Sequence, residues 1–484
     1  MRAVILLLAS GCATATRGPA KSADPRLSTM LAEAIRFPTV AGNDQARRDQ
    51  QAWLLHTSAE LGLTARDAGP VTEIELPGPP GAPALGLVVH GDVQPVDAAQ
   101  WTVPPFDGLA RGGEVIGRGA ADDKGPLVQA LLAMHALRLE KLTHTVRLLV
   151  GSDEESGSTD MKTYLASHAP PAYSLVLDSE FPVVVGEKAW DGLAVLPADD
   201  GAGSGKPWRI EEIDAGLAPS IVPDRARLTL RGPAPWDELS ARLRAKTPDE
   251  GTRLELSPRG ELLDVIVHGR SAHAGVNLKG GRNALVSLAR IVEGELPDCA
   301  TADLLAFAAK QDTQGAALGL TEAAPGWGGW AVNVATLNRE QRFGGKLALV
   351  INLRRPPPMN AAQSRDHLYA QVRKFSQRLE PATVHFADEP LIFDARAKLV
   401  RRLMDDYARA TGERPPLAIS GGGTYAKRIP NAIAFGMWFP GKPYPGHDVD
   451  EKVPVADLQR GLDVLVETVR DLATGAPIVE PFKP

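Results

Sequence analysis

The run LGLVVHGD, Leu85–Asp92, is a string of apolar residues that breaks off at two polar ones, His90 and Asp92. Its Leu and Val content is that of a strand buried on both faces, as in the parallel sheets of α/β proteins. Two further runs have the same form. VRLLVGSDEESG, Val146–Gly157, leads to Glu154 and Glu155, and SLVLDSE, Ser174–Glu180, leads to Asp178. Near the C-terminus IAFGMWFPGKPYPGHD, Ile433–Asp448, runs on to His447, while GRGAADDKGP, Gly117–Pro126, carries Asp122 and Asp123 just ahead of a helical pattern. In an open α/β sheet the binding crevice lies outside the carboxyl ends of the strands, so residues just past each run are expected to converge.

Two histidines and several carboxylates brought together in this way are a metal-ligand set. One Zn²⁺ takes about four N/O ligands, so His90, His447 and three carboxylates, one of them shared, suit a pair of ions. If Asp122 bridges, each ion gains one histidine and one further carboxylate, for example His90 with Asp178 and His447 with Glu155. Two Zn²⁺ against three carboxylates leave a positive site that favours hydroxide, because zinc brings the pKa of its water to about 7. Of the neighbours Glu154 and Glu155, one binds metal and the other moves a proton from water to the leaving amine. Asp92, two residues beyond His90, is placed to accept the imidazole N–H and fix the metal-binding tautomer. Mn²⁺ or Co²⁺ would suit similar ligands. Each motif alone has an ordinary structural use, and it is their recurrence at five places that points to chemistry.

Charge and composition remove other classes. The chain has 484 residues with 53 Lys and Arg against 59 Asp and Glu, a formal charge of -6, which offers no basic footprint for nucleic acid. Hydrophobic residues at 44% and charged residues at 23% are ordinary globular usage. The N-terminus MRAVILLLASGC, Met1–Cys12, has one Arg, an apolar run from Ala3 to Ala9 and small residues before Cys12. That is the layout of an export signal with a lipobox, and it is shorter than the roughly 20 apolar residues needed to span a bilayer. The expected product is exported, periplasmic or anchored to a bacterial membrane only through lipid on Cys12. Cys299 is then the one remaining thiol, so a disulfide framework and a Cys-rich zinc knuckle are excluded.

After this signal and tether at 1–23, helical patterns between Leu27 and Leu63 are split by FPTVAGND, and strands then alternate with helices. Strands are expected at Leu85–His90, Val146–Val150 and Leu175–Leu177, an amphipathic helix at Leu127–Leu139 and a helix at Met161–Ser167. Beyond Glu187 strand-like ARLTLRG, LLDVIVHG and LALVINLRR surround a helix at Asn283–Glu293. Alternation resumes with a helix at Leu399–Ala410, strands at Leu417–Ile419 and Ala432–Phe439 and a helix at Val455–Leu472. The predicted fold is α/β, a largely parallel-sheet catalytic domain with helices on both faces. It is built from 24–190 and 393–475, interrupted by an inserted α+β lid domain at 191–392 and followed by a tail at 476–484.

These motifs resemble the co-catalytic dizinc family that includes bacterial dipeptidase V, carnosinase, aminoacylase, carboxypeptidase G and succinyl-diaminopimelate desuccinylase. The likeness covers nearly the whole chain. His90 and Asp92 match the family's H-x-D, Gly117–Gly125 its G-R-G-x-x-D-[DN]-K-G, and Glu154 and Glu155, Asp178 and His447 its later positions. The resemblance implies that Asp122 rather than Asp123 bridges two Zn²⁺, and that Glu154 rather than Glu155 is the general base. FPVVVGEKA after Asp178, SGGGTYAK at Ser420–Lys427 and the long insertion resemble the dipeptidase V branch. That branch implies a lid histidine, His273 in GRSAHAG, which polarises the substrate carbonyl, and a lid arginine, Arg354 with Arg355 as its neighbour, for the substrate carboxylate. Ser420, Gly421 and Gly422 would line the site. Ser220 in SIVPD stands where relatives carry Asn, so a lid contact there is expected to be shorter or absent. A monomer is expected, its insertion being long enough to supply its own lid. The implied activity is hydrolysis of dipeptides or short peptides with a free C-terminal carboxylate. An N-acyl-amino-acid deacylase or desuccinylase is the alternative within the same chemistry, and an inactive peptide-binding lipoprotein the alternative outside it. His56, His144, His168, His268, His367 and His385 are expected to have no convergent partner, and Tyr425 and Lys427 to be structural.

Overall fold

The computed structural model describes residues 23–199 and 203–478. The segment with Cys12 and the expected lipid attachment lies outside the described residues. Among those described, no helix is long and apolar enough to cross a membrane.

Strand Ala84–His90 occupies the middle of a nine-stranded sheet, with every residue after Ala84 buried. It runs parallel to Thr145–Gly151 on one side and to Tyr173–Val176 on the other, and Ala432–Ala434 continues the parallel set beyond Tyr173–Val176. His90 pairs with Gly151 and Val88 with Val176, so the strands end at a common level. Antiparallel strands Thr64–Asp67 and Thr72–Leu76 finish one edge, and Val184–Glu187 with Leu391–Ile392 finish the other. The main core lies between one face and the helices Pro25–Ile35, Lys124–Leu137, Lys398–Thr411 and Val455–Thr474. The opposite face is covered by helix Thr159–Leu165 and the turn at Tyr425–Lys427.

Two elements differ from expectation. The helix read as amphipathic at Leu127–Leu139 is Lys124–Leu137, and only His135 and Ala136 in it are not buried. Pro25–Ile35 and Val455–Thr474 both pack on it, so no solvent face remains. The strand expected at Ala432–Phe439 splits into Ala432–Ala434 and Met437–Trp438 at Gly436, whose φ of +72° puts it in the left-handed region. Met437–Trp438 pairs instead with Ser179–Glu180, directly below the site.

The second sheet has eight antiparallel strands. Arg253–Arg259, Leu262–His268, Arg225–Arg231 and Arg209–Ala215 form one half, and Ala331–Glu340, Lys346–Arg355, Ala189–Pro197 and Leu379–His385 the other. A single pairing, Ala215 with Leu337, joins the halves. In Lys346–Arg355 the residues Leu349, Ile351 and Leu353 enter a separate core against helices, so Asn352 and Arg354 face the other way. The chain passes from the first sheet to the second between Glu187 and Ala189 and returns between His385 and Leu391.

Candidate metal centre

Because the central strands are parallel and end level, the segments leaving them carry His90, Glu154, Glu155 and Asp178 into one crevice. Asp122 arrives from the other side, one residue before Asp123, the N-cap of helix Lys124–Leu137. The turn that presents it is held by Glu451, which accepts the backbone N–H of Gly119 at 3.2 Å, Ala121 at 2.8 Å and Asp122 at 3.2 Å and pairs with Arg118 at 2.7 Å. His447 comes from a loop and has a φ of +65°, a strained conformation for a residue with a Cβ.

Asp122 lies between the two imidazoles. Its Oδ1 is 3.0 Å from His90 Nε2 and its Oδ2 is 3.3 Å from His447 Nε2. Asp178 Oδ2 is 3.9 Å from His90 Nε2, and Glu155 Oε1 is 3.0 Å from His447 Nε2. Donor atoms of His90, Glu154 and Asp178 form one group within 4.8 Å of one another, and those of His90, Asp122 and Glu155 form a second.

The tautomers test whether these donors suit a metal. His90 Nδ1 lies 3.0 Å from the carbonyl oxygen of Asp92, and His447 Nδ1 lies 3.3 Å from that of Ser220. A carbonyl only accepts, so Nδ1 carries the proton and a neutral ring turns the Nε2 lone pair toward the carboxylates. Lone pairs converging on one point fit a cation. Burial pushes Asp178 and Glu154 well above the usual carboxylate range, and neighbouring carboxylates push the same way against the pull of His90. Burial works to lower the pKa of His90, but hydrogen bonds to Asp122 and Asp92 hold it well above its ordinary value. These close-packed buried carboxylates call for positive charge among them, and the residues present fit a pair of divalent cations.

Asp92 differs in detail from expectation. It is its backbone carbonyl that receives His90 Nδ1, with the carboxylate at 3.5 Å. The carboxylate accepts the N–H of Glu154 at 3.1 Å and of Glu155 at 3.0 Å, so it sets the backbone of both glutamates. Gln94, which the sequence reading did not single out, donates to Glu155 Oε2 at 2.9 Å and to Ser220 Oγ at 2.8 Å. The contact at Ser220 is therefore present, and it is relayed through Gln94. Both Gln94 and Glu451 lie within a few residues of a ligand, which is the only signal that could have marked them.

The second domain closes over the crevice. His273 stands with its ring centroid 4.4 Å from that of His447 in the same chain, and its Nδ1 accepts the N–H of Gly275 at 3.0 Å and of Val276 at 2.9 Å. Nε2 is then the protonated nitrogen and a donor. Burial holds the His273 pKa well below its ordinary value, helped by the charges of His447 and Arg354, so the ring stays neutral. The two arginines separate clearly. Arg355 is fully buried with Nε on Asp191 at 2.9 Å and Nη1 on Glu389 at 3.0 Å. Among the described residues Arg354 Nε has no hydrogen-bond partner, and burial lowers its pKa to about 10.

Arg354 lines a cavity of about 610 Å³ that also meets Glu154, His273, Asn352 and Trp190. A second cavity of about 220 Å³, reached past Glu154, Glu155 and His273, is lined by Ser420 and Gly422. Gly421 differs from its neighbours. A Cβ there would stand 2.1 Å from the carbonyl oxygen of Gly275, so this residue is where the lid loop rests on the first domain rather than part of the cavity wall. His385, expected to have no convergent partner, lines the larger cavity, where it stacks on Trp190 at 4.4 Å and lies 3.3 Å from Asp388. Tyr425 is structural, with its OH on Asp160 at 2.5 Å, and Lys427 donates to the carbonyl of Lys188.

The sequence model of Peptidase family M20/M25/M40 matches residues 86–471, a span that contains every one of these candidate ligands. The chain belongs to this family. It is 30% identical over 404 residues to the putative dipeptidase YtjP of Bacillus subtilis (strain 168), covering 81% of this chain and 84% of that one. The Beta-Ala-Xaa dipeptidase of Lactobacillus delbrueckii subsp. lactis is 26% identical over 400 residues, covering 81% and 82%. Among solved structures, human carnosine dipeptidase 1 superposes with a TM-score of 0.56 at 14% identity, covering 92% of this chain and 95% of that one. The dipeptidase Dug1p of Saccharomyces cerevisiae gives 0.57 at 14%, covering 92% and 95%. At such identities the structures establish a shared fold, and this M20 peptidase fold comprises the parallel-centred sheet together with the inserted second domain.

Proposed function

We propose that this M20 hydrolase is an exported dipeptidase that cuts short peptides with a free C-terminal carboxylate, using two Zn²⁺ or, in their place, Mn²⁺ or Co²⁺. The observation that carries this reading is Asp122, whose two oxygens face the Nε2 atoms of two different histidines. In this reading His90, Asp122 and Asp178 hold one ion, and His447, Asp122 and Glu155 hold the other. When bound, such ions activate water and polarise the carbonyl.

The chain's own residues supply the rest. Glu154, its backbone fixed by Asp92, takes the proton from water and returns it to the leaving amine. Burial and the neighbouring carboxylates push its pKa up, the direction that favours accepting a proton. His273 donates from Nε2 to the carbonyl oxygen, and its anchored Nδ1 keeps that tautomer in place. Arg354, the arginine with a free Nε, takes the terminal carboxylate. The dipeptidase names of the two relatives support the substrate class.

Export is proposed from Arg2, the apolar run and Cys12. Cys12→Ala should move the protein out of the membrane fraction, and intact wild-type chain in the cytoplasm would refute it. The closeness of His273 and His447 within one chain supports a monomer that completes its own site. The decisive test is a screen of the purified enzyme, loaded with each metal in turn, on dipeptides against N-acyl amino acids. Dipeptide hydrolysis with two ions per chain is expected. Hydrolysis of acyl amino acids alone would replace this reading, and no hydrolysis of either would refute it.

A further inference from the structure

Two cavities meet at Glu154, Glu155 and His273, and their unpaired charges are opposite in sign. The larger has Arg354. The smaller has Glu180, together with Trp438 and Tyr444. Glu180 follows Asp178 by two residues in extended chain, so both point to the same side. Its strand pairs with the redirected segment Met437–Trp438, where Trp438 is its direct partner. Among the described residues no donor or cation meets its half-buried carboxylate. The lysine of the same cavity, Lys442, is taken by Asp457. Glu180 also stands outside both groups of metal-type donors.

A half-buried carboxylate without a partner is costly unless a cation comes to it. We propose that Glu180 binds the free ammonium group of the substrate's N-terminal residue, so that the enzyme prefers zwitterionic dipeptides over N-acyl amino acids. This rests on the dipeptidase reading above. The reacting carbonyl would sit between the two cavities, with the carboxylate end toward Arg354 and the ammonium end toward Glu180. Trp438 and Tyr444, edge to face at 5.7 Å, give that end an aromatic wall, which also favours a cation. An N-acyl amino acid satisfies Arg354 and leaves Glu180 unpaired, which is a basis for rejecting it.

The test compares Ala–Ala with propionyl-Ala, which lacks only the ammonium group, on the metal-loaded enzyme. Wild type should favour Ala–Ala, and Glu180→Gln should lower the ratio of the two kcat/KM values by about 10- to 100-fold, the range for a lost charge-assisted hydrogen bond. Glu180→Lys should go further and favour succinyl-Ala, whose added carboxylate would meet the new ammonium. A wild type that shows no preference for Ala–Ala over propionyl-Ala, or a ratio unchanged in both variants while Ala–Ala is still cleaved, would overturn the role of Glu180 and leave the dipeptidase reading standing. Failure of wild type to cleave Ala–Ala or any other dipeptide would instead remove the reading on which it rests.

Discussion

Replacing Gly421 by Ala should separate lid closure from folding. The added Cβ would stand 2.1 Å from the carbonyl oxygen of Gly275 and 3.0 Å from its carbon. Both are backbone atoms and cannot rotate away. The first distance falls about 1.3 Å short of the 3.4 Å at which ordinary contact begins, so the two loops must part by roughly that much. Gly275 and Val276 are the residues whose N–H groups hold His273 Nδ1, so the displaced loop carries the ring with it. A misplacement of about 1 Å in a reacting constellation costs about 10²-fold in rate, and kcat/KM for Ala–Ala should fall by that order. Each domain has its own core and neither includes Gly421, so melting temperature and metal content should stay at wild-type values. His273→Ala alone should cost about 10²–10³-fold in kcat, as for loss of one oxyanion donor. In the Gly421→Ala background it should cost much less, because the donor is already out of place. Steady-state amine release for the four chains reads this directly. Wild-type kcat/KM in Gly421→Ala, or fully additive losses in the double variant, would refute the reasoning.

Four further outcomes follow from the structure. Arg354→Ala should fold normally and raise KM for dipeptides while erasing the preference for a free C-terminal carboxylate over an amide. Arg355→Ala should lose about 3–5 kcal/mol of stability, because Asp191 is left buried without its partner; urea midpoints check this. Asp92→Asn should weaken metal affinity by about 10–100-fold, measured by chelator competition, since its carboxylate sets both Glu154 and Glu155. Burial raises the pKa of Asp406 to about 7, with Asp471 pushing the same way against Arg409 and Arg402. A carboxyl raised in the folded state gives stability that is present below about pH 4 and lost as pH rises toward 7. Melting temperature should therefore fall across that window, and Asp406→Asn should flatten the slope; equal slopes would contradict the assignment.

The candidate ligands were legible because they follow apolar runs. His90, Glu154, Glu155 and Asp178 each trail a strand that had to end at the crevice once the sheet was parallel, and strand burial dictates such runs. What sequence pattern could not supply was the partner of a partner. Gln94 and Glu451 act through backbone N–H groups and a lid hydroxyl, which leave no periodic trace, and Asp92, legible beside His90, gave no sign that its carboxylate holds the N–H groups of Glu154 and Glu155. Helix Lys124–Leu137 looked one-sided because two other helices, not solvent, cover its second face. Arg354 and Arg355 are identical in type and adjacent, and only the alternation of the strand, one residue to Asp191 and the next to the cavity, tells them apart. Gly421 reads in sequence as lining the site with Ser420 and Gly422, and only its contact with the carbonyl of Gly275 sets it apart.

The central claim is that Asp122 and its neighbours hold a pair of divalent cations while Glu154 stays free to move protons. Metal content and turnover measured together on Glu154→Gln test it most directly. Two ions per chain with dipeptide turnover reduced by at least about 10²–10⁴-fold, the range for losing a general base, is the predicted result. Near-native turnover, or loss of one ion along with activity, would contradict it and make Glu154 either dispensable or a ligand.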